Sequence, residues 1–598
     1  MRRAGSFLAR LGWCAAMDRR TTLGLAVAAL ALGALWNPVA PVAVAVAGAA
    51  LAALAAGRDR FLVGASLTAW GVRVVLTVIL YILSVHPPGV VANLLTPPQD
   101  GYRFWIFAFD SRSYHAAGVN LVAAWRYGTE FPAATGPEYF VFTGLLYLVF
   151  GAHPLNVALC NALFGALTVT AAYRVAGRVV SPAGARATAA AVALWPSSII
   201  WATQLLKDTI CLWLTMAIID LTLRVVDVRP EAGKPGRSRV LGRAGFFALI
   251  FVGSLVMSRF RHHVFIVFIP ATAVLAIAVL LLRGRYALQR CLAAGIVILL
   301  MVAAVFVGRR IDLEALFGLT NPTAGHVNRG VAYQLAGELD RAESEYLQAL
   351  ATRPGYPPAL RNLASTALTR EDQETARNLL TEYVERVPED QEVQSLLARR
   401  PIAPLPPRKA EVVSQGFRIT GPESDAAAGR RTIPTDDVVM AIIQARRAYT
   451  ATGGYSMIDP DVQFTGLGDL ILYLPRAVAN LLLVPYPSQW FDVKGGTGPF
   501  KGLAALEAVL LYLLLPPLLL GTVCVLQSRS VGGVYVVSFG VLIGLLLALV
   551  VTNLGTLFRL RLEFLVPFFV MLGPGLRRMV PARWWPQQLA GDAGATVG

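Results

Sequence analysis

The chain has 598 residues, 56% of them hydrophobic and 15% charged, with net charge +17 and mean hydropathy +0.58. That apolarity excludes an ordinary soluble domain and points to an α-helical polytopic membrane protein. The basic residues flank apolar runs instead of forming one patch, so they read as topology anchors, and no nucleic-acid partner is expected.

Residues 1–20 carry five Arg and one Asp ahead of the first apolar run, which predicts a cytoplasmic N-terminus. Hydrophobic sequence then continues without a small-residue cleavage site, so this end reads as a first anchor and not as a cleaved signal. Thr21–Trp36 and Val39–Ala56 form a hairpin broken at Asn37-Pro38, because backbone that leaves a helix within lipid is costly. Phe61–Ser84 is a third span. It delivers a long non-spanning stretch, Phe107–Gly151, to the outer face, where residues 111–127 and 137–151 read as two interfacial helices.

Six further spans follow: Pro154–Arg174, Ala187–Gln204, Thr209–Leu223, Phe246–Ser258, Val264–Leu282 and Cys291–Val307. The loops assigned to the inside (174–186, 224–243, 283–285) are basic, while the outer Asn37-Pro38 break carries no charge. Leu467–Val484 holds Asp469, Pro475, Arg476 and Asn480 and reads as interfacial or re-entrant. Gly502–Leu526, Val531–Thr552 and Phe564–Leu576 bring the total to about twelve spans, with both termini cytoplasmic. The five cysteines, Cys14, Cys160, Cys211, Cys291 and Cys524, lie in or beside apolar segments and read as packing residues.

Residues 308–500 differ in kind, being charged and Pro-rich. Gly330, Ala332, Tyr333, Gly337, Ala342, Tyr346, Ala349 and Pro354 fit the tetratricopeptide pattern, with Arg329 where a Leu is usual. Leu363, Ala364, Ala376, Leu380, Tyr383 and Pro388 repeat it, and the pairs Ala342/Ala376 and Pro354/Pro388 stand 34 residues apart. Two repeats are few for a solenoid, so docking on the membrane domain or on a protein partner is expected. The organisation that results is an N-terminal segment and hairpin at 1–60, a transmembrane domain at 61–307 with first outer loop 86–153, and an extracytoplasmic repeat domain at 308–400. A linker and interfacial segment at 401–500 and C-terminal spans with a basic tail at 501–598 complete it.

This topology gathers ionisable residues on the outer face. The first loop contributes Asp110, Arg112, Tyr114, His115, Glu130 and Glu138, and the second turn Lys207 and Asp208. The third turn contributes Arg259, Arg261, His262 and His263, and the last Arg559, Arg561 and Glu563. Charges at membrane depth are costly and mark sites, although any one at a span end also fits a plain anchor. A carboxylate can serve as general base toward a hydroxyl or amine, or can hold a divalent metal ion, and metal dependence stays open. Clustered Lys and Arg, here Lys207, Arg259, Arg261, Arg559 and Arg561, suit a phosphate. Together they fit transfer of a group from a lipid phosphate to a polar acceptor. There is no HExxH, CxxC or GxxxxGK[ST] pattern, which excludes a zincin and a P-loop pump.

The run Asp110-x3-Tyr114-x2-Ala117, Gly128, Tyr139–Gly151, Asn161–Leu167 and the stretch Ala190–Asp208 resemble GT-C membrane glycosyltransferases. The branch is the family-39-like one that includes protein O-mannosyltransferases and lipid A aminoarabinose transferases. The resemblance covers residues 61–300, is weaker over 460–576 and is absent over the repeats. It implies a polyprenyl-phosphate-linked sugar donor, reaction at the outer face of the cytoplasmic membrane, and Asp110 as catalytic base or acceptor-positioning group. The family often has a second acid beside that aspartate. Ser111 follows here, which leaves Glu130 or Glu138 as candidates for the second carboxylate. Two other classes compete: an O-antigen-type polysaccharide polymerase or ligase, and a non-enzymatic transporter or envelope scaffold. Against transport, no internal hydropathy repeat relates two halves.

Overall fold

The computed structural model describes residues 18–85, 110–127, 137–227, 236–282, 286–311, 322–335, 337–388, 390–398, 401–403, 405, 407, 435–451, 457–490 and 498–580. Cys14, Gly128, Glu130, the corner 283–285, most of the expected linker and the tail beyond Val580 lie outside the described residues. The chain divides into two compact units. One comprises Met1–His115, Leu146–Arg310 and Phe417–Gly598, and the other Ala116–Leu145 and Ile311–Gly416. The described residues are overwhelmingly helical, with a single isolated β-bridge between Met457 and Asn553.

In the first unit, α1 (Arg19–Leu35) begins where Asp18 accepts a hydrogen bond from the Thr21 amide at 2.7 Å. It turns at the Asn37–Val39 3-10 segment into α2 (Ala40–Ala56), which stops at Gly57 with φ +81. α3 spans Arg60–Val85. Two helices fill the stretch expected to be interfacial, α4 (Asp110–Tyr127) and α5 (Pro137–Phe150), and both run across the division between the units. α6 (Pro154–Val179), α7 (Pro182–Leu194), α8 (Pro196–Trp201) and α9 (Asp208–Val226) follow. Next come α10 (Gly236–Phe260), α11 (His262–Leu281) and α12 (Ala287–Arg310).

Nine helices among the described residues are long and apolar enough to cross a membrane. The three remaining expected spans fall short for physical reasons. α1 has only 17 residues. The run Ala187–Gln204 is broken between α7 and α8, because Pro196 has no amide hydrogen to continue the ladder. The run Phe564–Leu576 is interrupted by a 3-10 turn at Phe569–Met571.

The break at Pro196 would leave orphaned backbone groups inside the bundle, and charged side chains supply their partners. Arg73, fully buried on α3, donates from Nη1 to the Ala193 carbonyl at 3.2 Å and from Nη2 to Ser198 Oγ at 2.8 Å. Gly165 on α6 makes the room, since a Cβ there would lie 2.5 Å from the Arg73 Nε. The Ser197 amide, at the start of α8, donates to Glu507 Oε2 at 2.8 Å. Asn161 Nδ2 donates to the Gln204 carbonyl at 2.7 Å and the Leu206 carbonyl at 3.1 Å.

The rest of the first unit comprises α18 (Thr435–Ala451), α19 (Leu467–Leu483), α20 (Gly498–Gln527), α21 (Val531–Val550), α22 (Leu554–Phe568) and α23 (Leu572–Met579); α13–α17 belong to the second unit. α19 buries Leu470, Tyr473, Ala477, Asn480 and Leu481 and exposes Ile471 and Leu472. It has 17 residues, somewhat fewer than the 20 or so of an average span. α20 and α23 approach so closely that a Cβ on Gly575 would lie 1.7 Å from the Pro517 carbonyl oxygen.

In the second unit, α13 (Pro322–Leu335) with α14 (Leu339–Thr352), and α15 (Pro357–Thr369) with α16 (Gln373–Arg386), are two helical hairpins. Ala342, Tyr346 and Ala349 recur 34 residues on as Ala376, Leu380 and Tyr383, all buried. Gly337 (φ +81) and Glu371 (φ +64), also 34 apart, make the left-handed turns between helices. α17 (Gln391–Leu397) supplies Val393, and Ile402 and Leu405 join it to cover the second hairpin. This cap explains how two repeats suffice for a buried core.

Candidate active site

Five of the residues singled out in the sequence come together in the first unit: Asp110, Asp208, Arg261, Arg559 and Glu563. Asp110 is the first residue of α4, and its Oδ2 accepts a hydrogen bond from Arg559 Nη1 at 2.8 Å. Arg559 Nε lies 3.4 Å from Asp208 Oδ1, at ion-pair distance. Arg261, in the corner between α10 and α11, donates to the same Asp208 oxygen at 2.5 Å and to Glu563 Oε1 at 2.6 Å. The order is therefore Asp110, Arg559, Asp208, Arg261, Glu563. Side-chain exposure falls along it from 25% through 19%, 8% and 4% to 2%, so Asp110 is the open end.

Local structure explains the convergence. Asn553 caps α22 by accepting from the Thr556 amide at 3.2 Å. Arg559 and Glu563 are then four residues apart on one helix face and point the same way. Asp208 opens α9, where a carboxylate is favoured by the helix dipole. Burial works against the Arg261 charge, but Asp208, followed by other nearby groups including Glu563, holds that guanidinium firmly protonated. Tyr114, one turn after Asp110, has its hydroxyl pushed well up, first by burial and then by the Asp110 charge. Lys207, half-buried, stands beside Asp208 in the chain.

The remaining candidates go elsewhere. Arg561, two residues from Arg559, points away from the cluster. It donates to the Val484 carbonyl, which caps the C-terminus of α19, so its charge neutralises a helix end instead of serving a phosphate. Arg259 donates to the Gly308 carbonyl at 3.2 Å, at the end of α12. His115 makes a 2.7 Å hydrogen bond between Nδ1 and the Tyr147 hydroxyl. His262 is exposed at the start of α11. Glu138 lies in the first turn of α5, within the second unit.

The carboxylate that shares Arg559 with Asp110 is Asp208, and Glu563 lies behind it across Arg261. A small cavity of about 10 Å3 adjoins Asp208, Arg261, Arg559 and Glu563, with Gly165, Ser198 and Trp201 on its other side. That is room for about one water molecule. Among the described residues, no three His, Cys, Asp or Glu side chains converge as metal ligands, and these carboxylates are held by guanidinium groups instead.

Arg73 and Glu507 are buried charges that the reading by outer turns missed, since both lie within apolar runs. Their signal was the break they support, Trp195-Pro196.

Residues 334–400 match the tetratricopeptide repeat family. No curated protein matches the chain. Among solved structures the chain is similar to ArnT from Cupriavidus metallidurans bound to undecaprenyl phosphate, at 14% identity over 86% of this chain and 80% of that one, with a TM-score of 0.29. It is similar to the apo state of that protein at 14% identity over 84% and 76%, again with a TM-score of 0.29. A likeness of this size says nothing about individual residues, and the cluster stands on its own geometry.

Proposed function

We propose that the chain is a membrane glycosyltransferase. It moves a sugar from a polyprenyl-phosphate-linked donor to a cell-envelope acceptor (lipid, glycan or protein) at the outer face of the cytoplasmic membrane. The observation that carries this reading is the graded ion network from Asp110 to Glu563. The resemblance of the Asp110 loop to GT-C enzymes agrees with it.

In this reading Asp110 is the general base. Arg559 holds its Oδ2, and among the described residues Oδ1 accepts no hydrogen bond, so one oxygen is free to take a proton. The acceptor hydroxyl or amine loses that proton to Asp110 and bonds to the anomeric carbon. The bond from that carbon to the phosphate oxygen breaks, and polyprenyl phosphate leaves with the electron pair. Lys207 and Arg559 stabilise the charge on the leaving phosphate. Arg261 is occupied by two carboxylates, so its role is to fix Asp208 and Glu563, and through Asp208 the position of Arg559. The cavity is far smaller than a sugar, and donor entry requires the Asp110–Arg559 pair at the open end to part.

The test is transfer of label from polyprenyl-phosphate sugars by the reconstituted protein. Asp110→Asn keeps an acceptor oxygen for Arg559 but cannot take a proton. Its transfer rate should fall by roughly 10²- to 10⁴-fold while thermal unfolding is unchanged. Full activity in that variant would remove Asp110 from the mechanism.

A further inference from the structure

A second cavity in the first unit has the size and chemistry of a ligand pocket. Its volume is about 280 Å3, and its walls include Ile443, Arg446, Arg447 and Thr450 of α18, with Gln463 and Phe464 from the stretch before α19. That is near the low end of small-molecule pockets, roughly 300 Å3, and suits one sugar ring better than a chain.

The wall is built, not incidental. Arg446 is 3% exposed and donates to the carbonyls of Leu549 at 3.1 Å and Asp459 at 3.0 Å. Its guanidinium lies 4.9 Å from the ring centre of Phe464, and 4.9 Å from that of Tyr473. These contacts hold the aromatic ring as a fixed face. Asp459 does not line the pocket, and its carboxylate is bonded by Arg476, Tyr473 and Asn480. No lining residue is acidic, and among the described residues neither Arg446 nor Arg447 has a carboxylate partner. Arg447 is exposed at the rim. An aromatic face, an amide, a hydroxyl and an uncompensated guanidinium together suit a sugar bearing a negative group.

Hydrogen bonds connect the pocket wall to the start of the helix that bears Arg559. Thr450 Oγ1 donates to Thr552 Oγ1 at 3.5 Å, and the Ile458 amide donates to the Thr552 carbonyl at 2.6 Å. The next residue, Asn553, caps the helix that carries Arg559. Tyr449, beside Thr450, is half-buried and lies within electrostatic reach of Arg261, Arg559 and Asp208.

We propose that this pocket is the acceptor subsite and that it binds a single sugar ring carrying a carboxylate or a phosphate. The word acceptor rests on the transferase reading, whereas the binding does not. The test titrates the detergent-solubilised full chain with glucuronic acid, glucose 6-phosphate and glucose, followed by calorimetry. At least one anionic sugar should bind about tenfold or more tighter than glucose, as one charge-assisted contact gives. The probe preferred tells carboxylate from phosphate. Arg447→Gln, at an exposed position, should bring that affinity down to the glucose level. Equal binding of glucose, no binding of any probe, or an unaltered affinity in Arg447→Gln would overturn the proposal. Anionic-sugar binding without any transfer activity would sink the transferase reading alone. Transfer without anionic-sugar binding would sink the subsite alone.

Discussion

In the bundle, Arg261 is 4% exposed and touches carboxylates that are 8% and 2% exposed. On the repeat surface, Arg370 also bridges two carboxylates, Asp340 and Glu343, but its side chain is 36% exposed and Asp340 is fully open. The connectivity is the same, one guanidinium between two acids, and the N–O distances are similar. What differs is water. In the repeats either partner can be solvated when the other leaves, so the pair is worth little. In the bundle a lost partner strands a charge that water does not reach. Similar contact geometry therefore predicts mutational losses of very different size.

The largest break in that contrast is Arg261→Leu, which leaves Asp208 and Glu563 buried without their shared cation. We expect a loss of about 3–5 kcal/mol, read as a large drop in the thermal unfolding temperature of the detergent-solubilised protein. Adding Asp208→Leu and Glu563→Leu should restore much of it, because the two stranded carboxylates are then gone and Arg559 keeps Asp110 as its partner. A single variant as stable as the wild type would mean that the cluster is open to water.

Asp459 tests the intermediate case. Burial would raise its carboxyl, but hydrogen bonds from Arg476, Tyr473 and Asn480 outweigh that and hold it below the ordinary value. A depressed folded-state pKa contributes stability that is complete above the unfolded value, about 4, and is lost as pH falls through the folded value. Acidification below about pH 4 should therefore cost the wild type more stability than it costs Asp459→Asn. Parallel acid melting curves for the two proteins would contradict this. The smallest effect is Arg370→Ala, where we expect below about 1 kcal/mol, further reduced by salt. A loss as large as that of Arg261→Leu would erase the contrast.

Much of this was legible in the sequence. The repeat showed itself because a 34-residue period is long and its small residues are diagnostic. Asp110, Asp208, Arg261 and Arg559 stood out because charges beside apolar runs are few. Separating Arg559 from Arg561 was not possible without knowing that a helix had already begun. Reading that span from Phe564 placed both arginines in a turn, whereas the Asn553 cap starts the helix at Leu554 and sends them to different faces. The partners of Arg73 were hidden for another reason. The backbone carbonyls it serves come from a break some 120 residues away, and no local pattern encodes that distance.

The cluster also has a history within each molecule. Asp110, Asp208 and Arg261 are synthesised long before the segment Leu554–Phe568 that supplies Arg559 and Glu563. Until then, Asp110 lacks the guanidinium it binds in the finished fold. Electrical closure of the bundle is therefore a late step in biogenesis. Early helices carrying these charges must wait in a wet or assisted state at the membrane until α22 arrives.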